Sequence, residues 1–194
     1  MVRNRSFEPD SALARAMQLF SRRGYSDTSM DDIVKATGVS RYGLYSTFGN
    51  KRELFEQALE RFAAELAQRG YLRLLDPGVT IDDVRAVFTD RIDDLCQEPV
   101  SSGCLLCHTA MELAPHDHEI KEVLQRFIRR SAKTFSIGLQ TMQKNGQVPA
   151  SLDTVAAGEF LTGSIFGLTV MARCGFDRKT LESFVETTLS AITR

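Results

Sequence analysis

The sequence predicts an all-α protein of about nine helices, and three observations carry that expectation. Apolar residues recur at spacings of three and four along nearly all of the 194 residues, the period of helices that bury one face. The segments with this period are separated by short stretches rich in Gly, Pro, Asp and Ser, such as LLDPGVT, APHD, NGQVP and GFD. A content of 43% hydrophobic residues can fill a core, which sets the chain apart from disordered proteins.

The elements follow in chain order. In SALARAMQLFSRRG, Leu13, Ala16, Met17 and Phe20 form one face and Gly24 supplies the stop. Thr28 or Ser29 caps the second helix, Asp31 and Asp32 favour its first turn, Ile33 and Val34 turn inward, and Gly38 ends it. Ser40 caps a short third helix through Phe48. Asn50 caps a long fourth one with an apolar stripe of Leu54, Phe55, Ala58, Leu59 and Phe62. Five further helices are expected at 81–96, 103–114, 119–144, 154–174 and 179–193. The division is therefore into a small helical domain, residues 1–56, and a larger one, 57–194.

Charge divides unevenly between the two. Residues 1–56 carry nine Lys or Arg against seven Asp or Glu, a balance of +2, while the rest of the chain stands at -3. This fits a nucleic-acid contact at the N-terminal end, and equally a chance scatter of surface charge. No apolar run reaches the roughly 20 residues of a membrane span, and MVRNRSFEPD leads into no signal-type segment, so the expected location is cytoplasmic. Four Cys in such a chain read as thiols of a reducing compartment.

The stretch GVSRYGLYSTFGNKREL, residues 38–54, places aromatic hydroxyls and cations where a core helix would carry Leu and Val. Two helices joined by the tight Gly38-Val39 turn form a helix-turn-helix, whose second helix enters the major groove of DNA. Leu44 and Phe48, four apart, face inward. Ser40, Arg41, Tyr42, Tyr45 and Ser46 are left to reach bases and phosphates, and Gly43 adds no bulk between backbone and duplex. Tyr42 also reads as a plain exposed aromatic. Arg3 and Arg5 sit on an N-terminal arm that either reaches a minor groove or is merely solvated.

The run TSMDDIVKATGVSRYGLYSTFGNKRELF, preceded by LFSRRGY, resembles the DNA-binding domain of TetR-family transcriptional repressors over residues 10–56, with caps, turn Gly and core positions in register. The resemblance implies phosphate contacts at Thr28 and Lys51, an aromatic phosphate clamp at Tyr45, and base readers at Arg41 and Tyr42. It also implies a C-terminal ligand-binding and dimerisation domain, a homodimer through the last two helices, about 154–193, a double-stranded palindromic operator and a small-molecule inducer of unknown identity. AAGEFLTGSIFGLTVMA fits such an interface by mixing Phe160, Ile165 and Phe166 with Gly158, Gly163, Ser164 and Gly167; a hairpin buried within one chain is the other reading.

SSGCLLCHTAMELAPHDHEI resembles a branch of the same family with a GC-L-L motif, which includes regulators that sense electrophiles or oxidants through a cysteine. Cys104 stands at the motif position, near a helix N-terminus that favours the thiolate, with Cys107 one turn on. Cys104 also reads as a packed small hydrophobe, and a Cys104–Cys107, a Cys96–Cys104 or an intersubunit Cys174 disulfide is conceivable. With His108 the pattern C-x-x-C-H matches haem attachment or a dithiol oxidoreductase, but the first needs export and the second needs strands. His108, Glu112, His116 and His118 lack tight metal-ligand spacing; a His108–Glu112 pair and a cap at Pro115 to Asp117 are the simpler reading, and neither a metal nor a cofactor is expected. Phe88, Ile92, Leu95, Met111, Phe127 and Phe135 line a ligand cavity or fill a core. No catalytic triad or phosphate-cradling loop is found. Two rival accounts are a thiol oxidoreductase built on Cys104 and Cys107, and a small-molecule binding protein whose helix-turn-helix no longer binds DNA.

Overall fold

A computed structural model describes residues 7–96 and 104–194. Arg3, Arg5 and the expected start of a helix at position 103 lie outside the described residues. Nine α-helices and no strand are found among those described: α1 (Pro9–Arg23), α2 (Met30–Thr37), α3 (Arg41–Phe48), α4 (Lys51–Arg69), α5 (Ile81–Cys96), α6 (Leu105–Glu112), α7 (His118–Lys144), α8 (Thr154–Arg173) and α9 (Arg178–Thr193).

Local chemistry sets most of the boundaries. Ser29, not Thr28, caps α2: the Asp32 N–H donates to Ser29 Oγ while the Asp32 carboxylate accepts from the Ser29 N–H, two otherwise orphaned donors satisfied at once. The same reciprocal box joins Asn50 and Glu53 at α4. Asp117, Asp153 and Asp177 accept first-turn N–H groups of α7, α8 and α9. At the turn between α2 and α3, Gly38 adopts φ 71°, the left-handed region that a side chain disfavours, and its N–H closes on Val34 O at 2.9 Å.

One element escapes the sequence pattern. Tyr71–Leu75 forms a short 3-10 helix where a loop is expected, because Leu74 is fully buried and the Tyr71 ring meets Phe135 edge-on at 5.3 Å. Tertiary burial overrides the turn signal of the following Asp76 and Pro77.

Two apolar cores result. The first gathers Phe20, Ile33, Leu44, Phe48, Leu54 and Phe55 of the first four helices, and it extends into Cys104, Leu105 and Leu106 and into Ile120 and Leu124 of α7. The second is built from α5, the C-terminal half of α7, α8 and α9 around Phe88, Phe135, Leu161 and Leu189. The first core thus crosses residue 56, and α6 belongs to it. By length and composition α8 is apolar enough to span a membrane, with mean hydropathy 1.5. In the fold, its buried residues Ala157, Leu161 and Leu168 lie in the second core.

Gly158 shows why α7 and α8 can pack so closely. A Cβ there would lie 2.4 Å from Ala132 O and 3.0 Å from Ser136 N, both backbone atoms that only a shift of the whole helix can clear. Gly158→Val is expected to cost about 3 kcal/mol or more of unfolding free energy, from overpacking that the helices cannot relieve. Urea unfolding at fixed protein concentration checks this, and an unchanged midpoint would refute it.

Candidate functional site

The exposed face of α3 is built as the sequence predicts. Leu44 and Phe48 are buried against the first core, which fixes the rotation of the helix. Tyr42 is then 71% exposed and Tyr45 43% exposed. Ser40 caps the helix by accepting the Gly43 N–H at 3.1 Å, and Ser46 Oγ donates to Gly43 O at 3.0 Å. Arg41 reaches back to α2, where its Nη2 donates to Asp31 Oδ1 at 2.6 Å. That bond from Asp31 raises the already high guanidinium pKa, so Arg41 is a positive fork tethered by an exposed acceptor.

Three predicted contacts are placed differently. Thr28 is fully buried and its hydroxyl donates to Gly24 O at 2.7 Å, so its side chain offers no phosphate contact. Its hydroxyl serves the turn between α1 and α2 instead. Gly43 does not face outward: a Cβ there would meet Val39 at 3.0 Å and Phe7 at 3.2 Å, so the missing side chain makes room for the protein's own apolar residues. Lys51 Nζ lies 4.2 Å from the centroid of the Tyr25 ring, a cation–π contact, and partial burial lowers its pKa.

Behind this face, α6 holds the turn that follows α1. The Glu112 carboxylate accepts the Tyr25 N–H at 2.9 Å and the Ser26 N–H at 2.5 Å. Desolvation opposes its ionisation, but the bonds from Ser26 and Tyr25 prevail and hold the carboxyl below the usual range. Sequence reasoning assigned Glu112 to His108. In the fold Glu112 caps a remote turn, and His108 Nε2 is buried without a hydrogen-bond partner among the described residues. Desolvation, then the Arg173 charge, lowers the His108 pKa, while the nearby Glu112 charge opposes the shift. Arg52 adds a second tie by bonding both Asp117 at the start of α7 and Glu56.

Cys104 and Cys107 do come together. Cys104 is buried at the N-cap of α6, and the nearby Cys107 thiol is the main cause that lowers the Cys104 pKa to about 6. Burial opposes this, while the Arg91 charge and the Cys107 and Leu106 N–H groups assist. Cys107 moves the other way: donating to Cys104, and then burial, raise its pKa. All four cysteines are free thiols, with Cys96 and Cys174 exposed.

Cys104 opens onto a cavity of about 50 Å³ lined by α4, α5, α7 and α8. Of the six predicted pocket residues only Phe127 lines it. Phe88, Ile92, Leu95 and Phe135 are buried core, and Met111 is 84% exposed on the outer side of α6. The sequence reading missed Arg91, which lines the cavity and is only 9% exposed. Its signal was present: Val84, Val87, Phe88, Ile92 and Leu95 form the buried stripe of α5, and position 91 falls inside that stripe. Among the described residues no cluster of three His, Cys, Asp or Glu converges as metal ligands.

Comparison with known proteins agrees with this geometry. Residues 12–58 match the model of bacterial regulatory proteins of the tetR family, and residues 80–188 that of the tetracyclin repressor-like C-terminal domain. The chain is 28% identical to the uncharacterized HTH-type transcriptional regulator YezE of Bacillus subtilis (strain 168), over 99% of this chain and 100% of that one. It is 29% identical to the HTH-type transcriptional repressor ComR of Escherichia coli (strain K12), over 96% and 90%. A cysteine-substituted form of the TetR family transcriptional regulator CifR, complexed with 26-base-pair operator DNA, superposes with a TM-score of 0.84 at 27% identity, covering 98% and 99% of the two chains.

Proposed function

This chain belongs to the TetR family of bacterial regulatory proteins, and from that premise we propose that it is a homodimeric, cytoplasmic transcriptional repressor, not an enzyme. It binds a palindromic operator and leaves it when a small molecule enters the C-terminal domain or when Cys104 is modified. The observation that carries this reading is the α3 surface, where buried Leu44 and Phe48 turn Arg41, Tyr42, Tyr45 and Ser46 outward together. Residues 1–56 are the reading head and residues 57–194 the effector and dimerisation unit. The Glu112 and Arg52 ties let one act on the other.

In this assignment Tyr45, Ser40 and Ser46 contact phosphates, and Arg41 and Tyr42 read base edges. Lys51 contributes positive charge from the side, next to Tyr25. A dimer is required because two copies of α3 must meet successive major grooves about 34 Å apart. The outer face of α8 suits that dimer: Val155, Phe160 and Val170 are exposed large apolar residues, and Gly163 has open space beside it. Gly158, by contrast, is used within the chain. Phe160→Glu is expected to turn the dimer into a monomer, read as a halved mass by sedimentation equilibrium, with loss of tight operator binding. A dimer of undiminished stability would remove α8 from the interface.

The test of the reading as a whole is binding of the purified protein to the DNA upstream of its own gene at two salt concentrations, with Tyr45→Ala alongside. Tight, salt-sensitive binding that needs Tyr45 is the expected result. Ligand affinity without such binding would favour the small-molecule binding account, and disulfide reduction without DNA the oxidoreductase account.

A further inference from the structure

The cavity behind α6 combines a nucleophile with an unanswered cation. Arg91 Nε donates to Thr169 Oγ1 at 3.3 Å, and Arg91 Nη2 is buried with no hydrogen-bond partner among the described residues. A guanidinium is always protonated, and a buried N–H without an acceptor is costly, so the site is incomplete as it stands. Asp90 and Asp94 share the cavity wall, and Asp90 accepts from Arg73 at 2.7 Å. Cys104 lines the same cavity, and the Arg91 charge is among the causes that lower its pKa.

We propose that this cavity binds a short electrophile carrying a carboxylate, with Arg91 holding the carboxylate while the Cys104 sulfur attacks the electrophilic carbon. The proposal rests on the reading of Cys104 as the sensor and names the chemistry it senses. Charge explains the selectivity. The Cys104 thiolate uses its lone pair to form an S–C bond; with a haloacid, the carbon–halogen bond breaks and the halide leaves with the bonding pair. No electron is transferred to an oxidant and Arg91 keeps its proton. The thioether that results is neutral, so a neutral electrophile removes the Cys104 charge from beside Arg91, whereas a carboxylate-bearing one restores it.

Size and access agree. A single water needs about 10–15 Å³ of such space, so a cavity of about 50 Å³ takes only a few non-hydrogen atoms, as in a two- or three-carbon acid. Tyr71 and Phe127 line both this cavity and an open groove of about 460 Å³ between α4 and α7, whose rim carries Arg126 and Arg130. The Tyr71 hydroxyl is kept neutral by burial, which pushes its pKa to about 12.

The experiment compares iodoacetate with iodoacetamide, which differ in charge and little in size, on the full chain with Cys96→Ser and Cys174→Ser. Alkylation of Cys104 is followed by peptide mass, with glutathione as the reference thiol. The iodoacetate to iodoacetamide rate ratio is expected to exceed that of glutathione by about tenfold or more, the scale of a charge-assisted bond, and to fall to the glutathione ratio in Arg91→Met. Because Arg91→Met could impair folding, acetate is also added to the unmutated site, where it is expected to slow alkylation of Cys104 by iodoacetamide. A glutathione-like ratio with no acetate protection overturns the role of Arg91 while leaving Cys104 as sensor. Alkylation of Cys104 by neither reagent overturns the sensor reading, and this proposal with it.

Discussion

Arg41→Ala weakens operator binding by about 30-fold or more, because a base contact contributes roughly 5- to 150-fold in discrimination and the homodimer loses it twice. The two copies of α3 are far enough apart for the losses to multiply. The unbound structure shows how the side chain is kept for this use. Arg41 is not adrift in solvent but bonded to Asp31 Oδ1 on the neighbouring helix, an exposed acceptor that a guanine edge can replace at little cost. Asp31→Asn therefore binds the operator as well as the parent or a few-fold better. The same titration separates a base reader from a phosphate contact. For Arg41→Ala the loss depends on the base pair beneath the helix, whereas a lost phosphate contact lowers the salt slope by about one and weakens all sequences alike. A uniform loss across operator variants would return Arg41 to the backbone-contact class.

The contrast between Arg41 and Thr28 shows what was legible in the sequence. The outward residues of α3 could be read because two apolar positions four apart, Leu44 and Phe48, fix which face is buried. Helix existence was equally legible, since caps such as Ser29, Asn50, Asp117 and Asp177 act within three or four residues of themselves. What the pattern did not show was which local atom claims a side chain, and anything decided by a partner distant in sequence. Thr28 lies beside the true cap and is claimed by Gly24 O, and Gly43 is small because Phe7 and Val39 press on it. Glu112 answers two N–H groups more than eighty residues away. Between the two readings of the large apolar residues the structure puts Phe88, Ile92, Leu95 and Phe135 in the core, while the lining of this cavity is marked by a polar residue on an apolar stripe. Arg91 in the buried face of α5 was that mark.

Cys104→Ser abolishes operator release by thiol-directed electrophiles, and Glu112→Ala separates that release from the chemistry that triggers it. With the Cys104 pKa lowered to about 6, the thiolate is present above that pH and lost as pH falls through it. The alkylation rate of the parent therefore rises through about pH 6 and levels off by about pH 7, where an ordinary thiol of pKa about 8.5 is still climbing. The rate at neutral pH is a poor readout, because a more acidic thiol is also a weaker nucleophile and the gain shrinks to a few-fold. The inflection near pH 6 is the diagnostic, and an inflection above pH 8 would remove the thiolate from the mechanism. Beyond the sulfur, α6 runs from Cys104 at its N-cap to Glu112 at its last turn, and Glu112 grips the turn between α1 and α2 through the Tyr25 and Ser26 N–H groups. A group added at the N-cap fills the cavity beside α6 and removes the Cys104 charge, and a shift of α6 in response disturbs that grip. Alanine at position 112 leaves the alkylation profile of Cys104 as in the parent, but the ratio of operator affinities before and after modification, about 5- to 150-fold for typical coupling, shrinks toward one. Equal release in the Glu112→Ala protein would mean that the signal reaches the reading head by another contact, of which the Arg52 to Asp117 bond at the start of α7 is the next to cut.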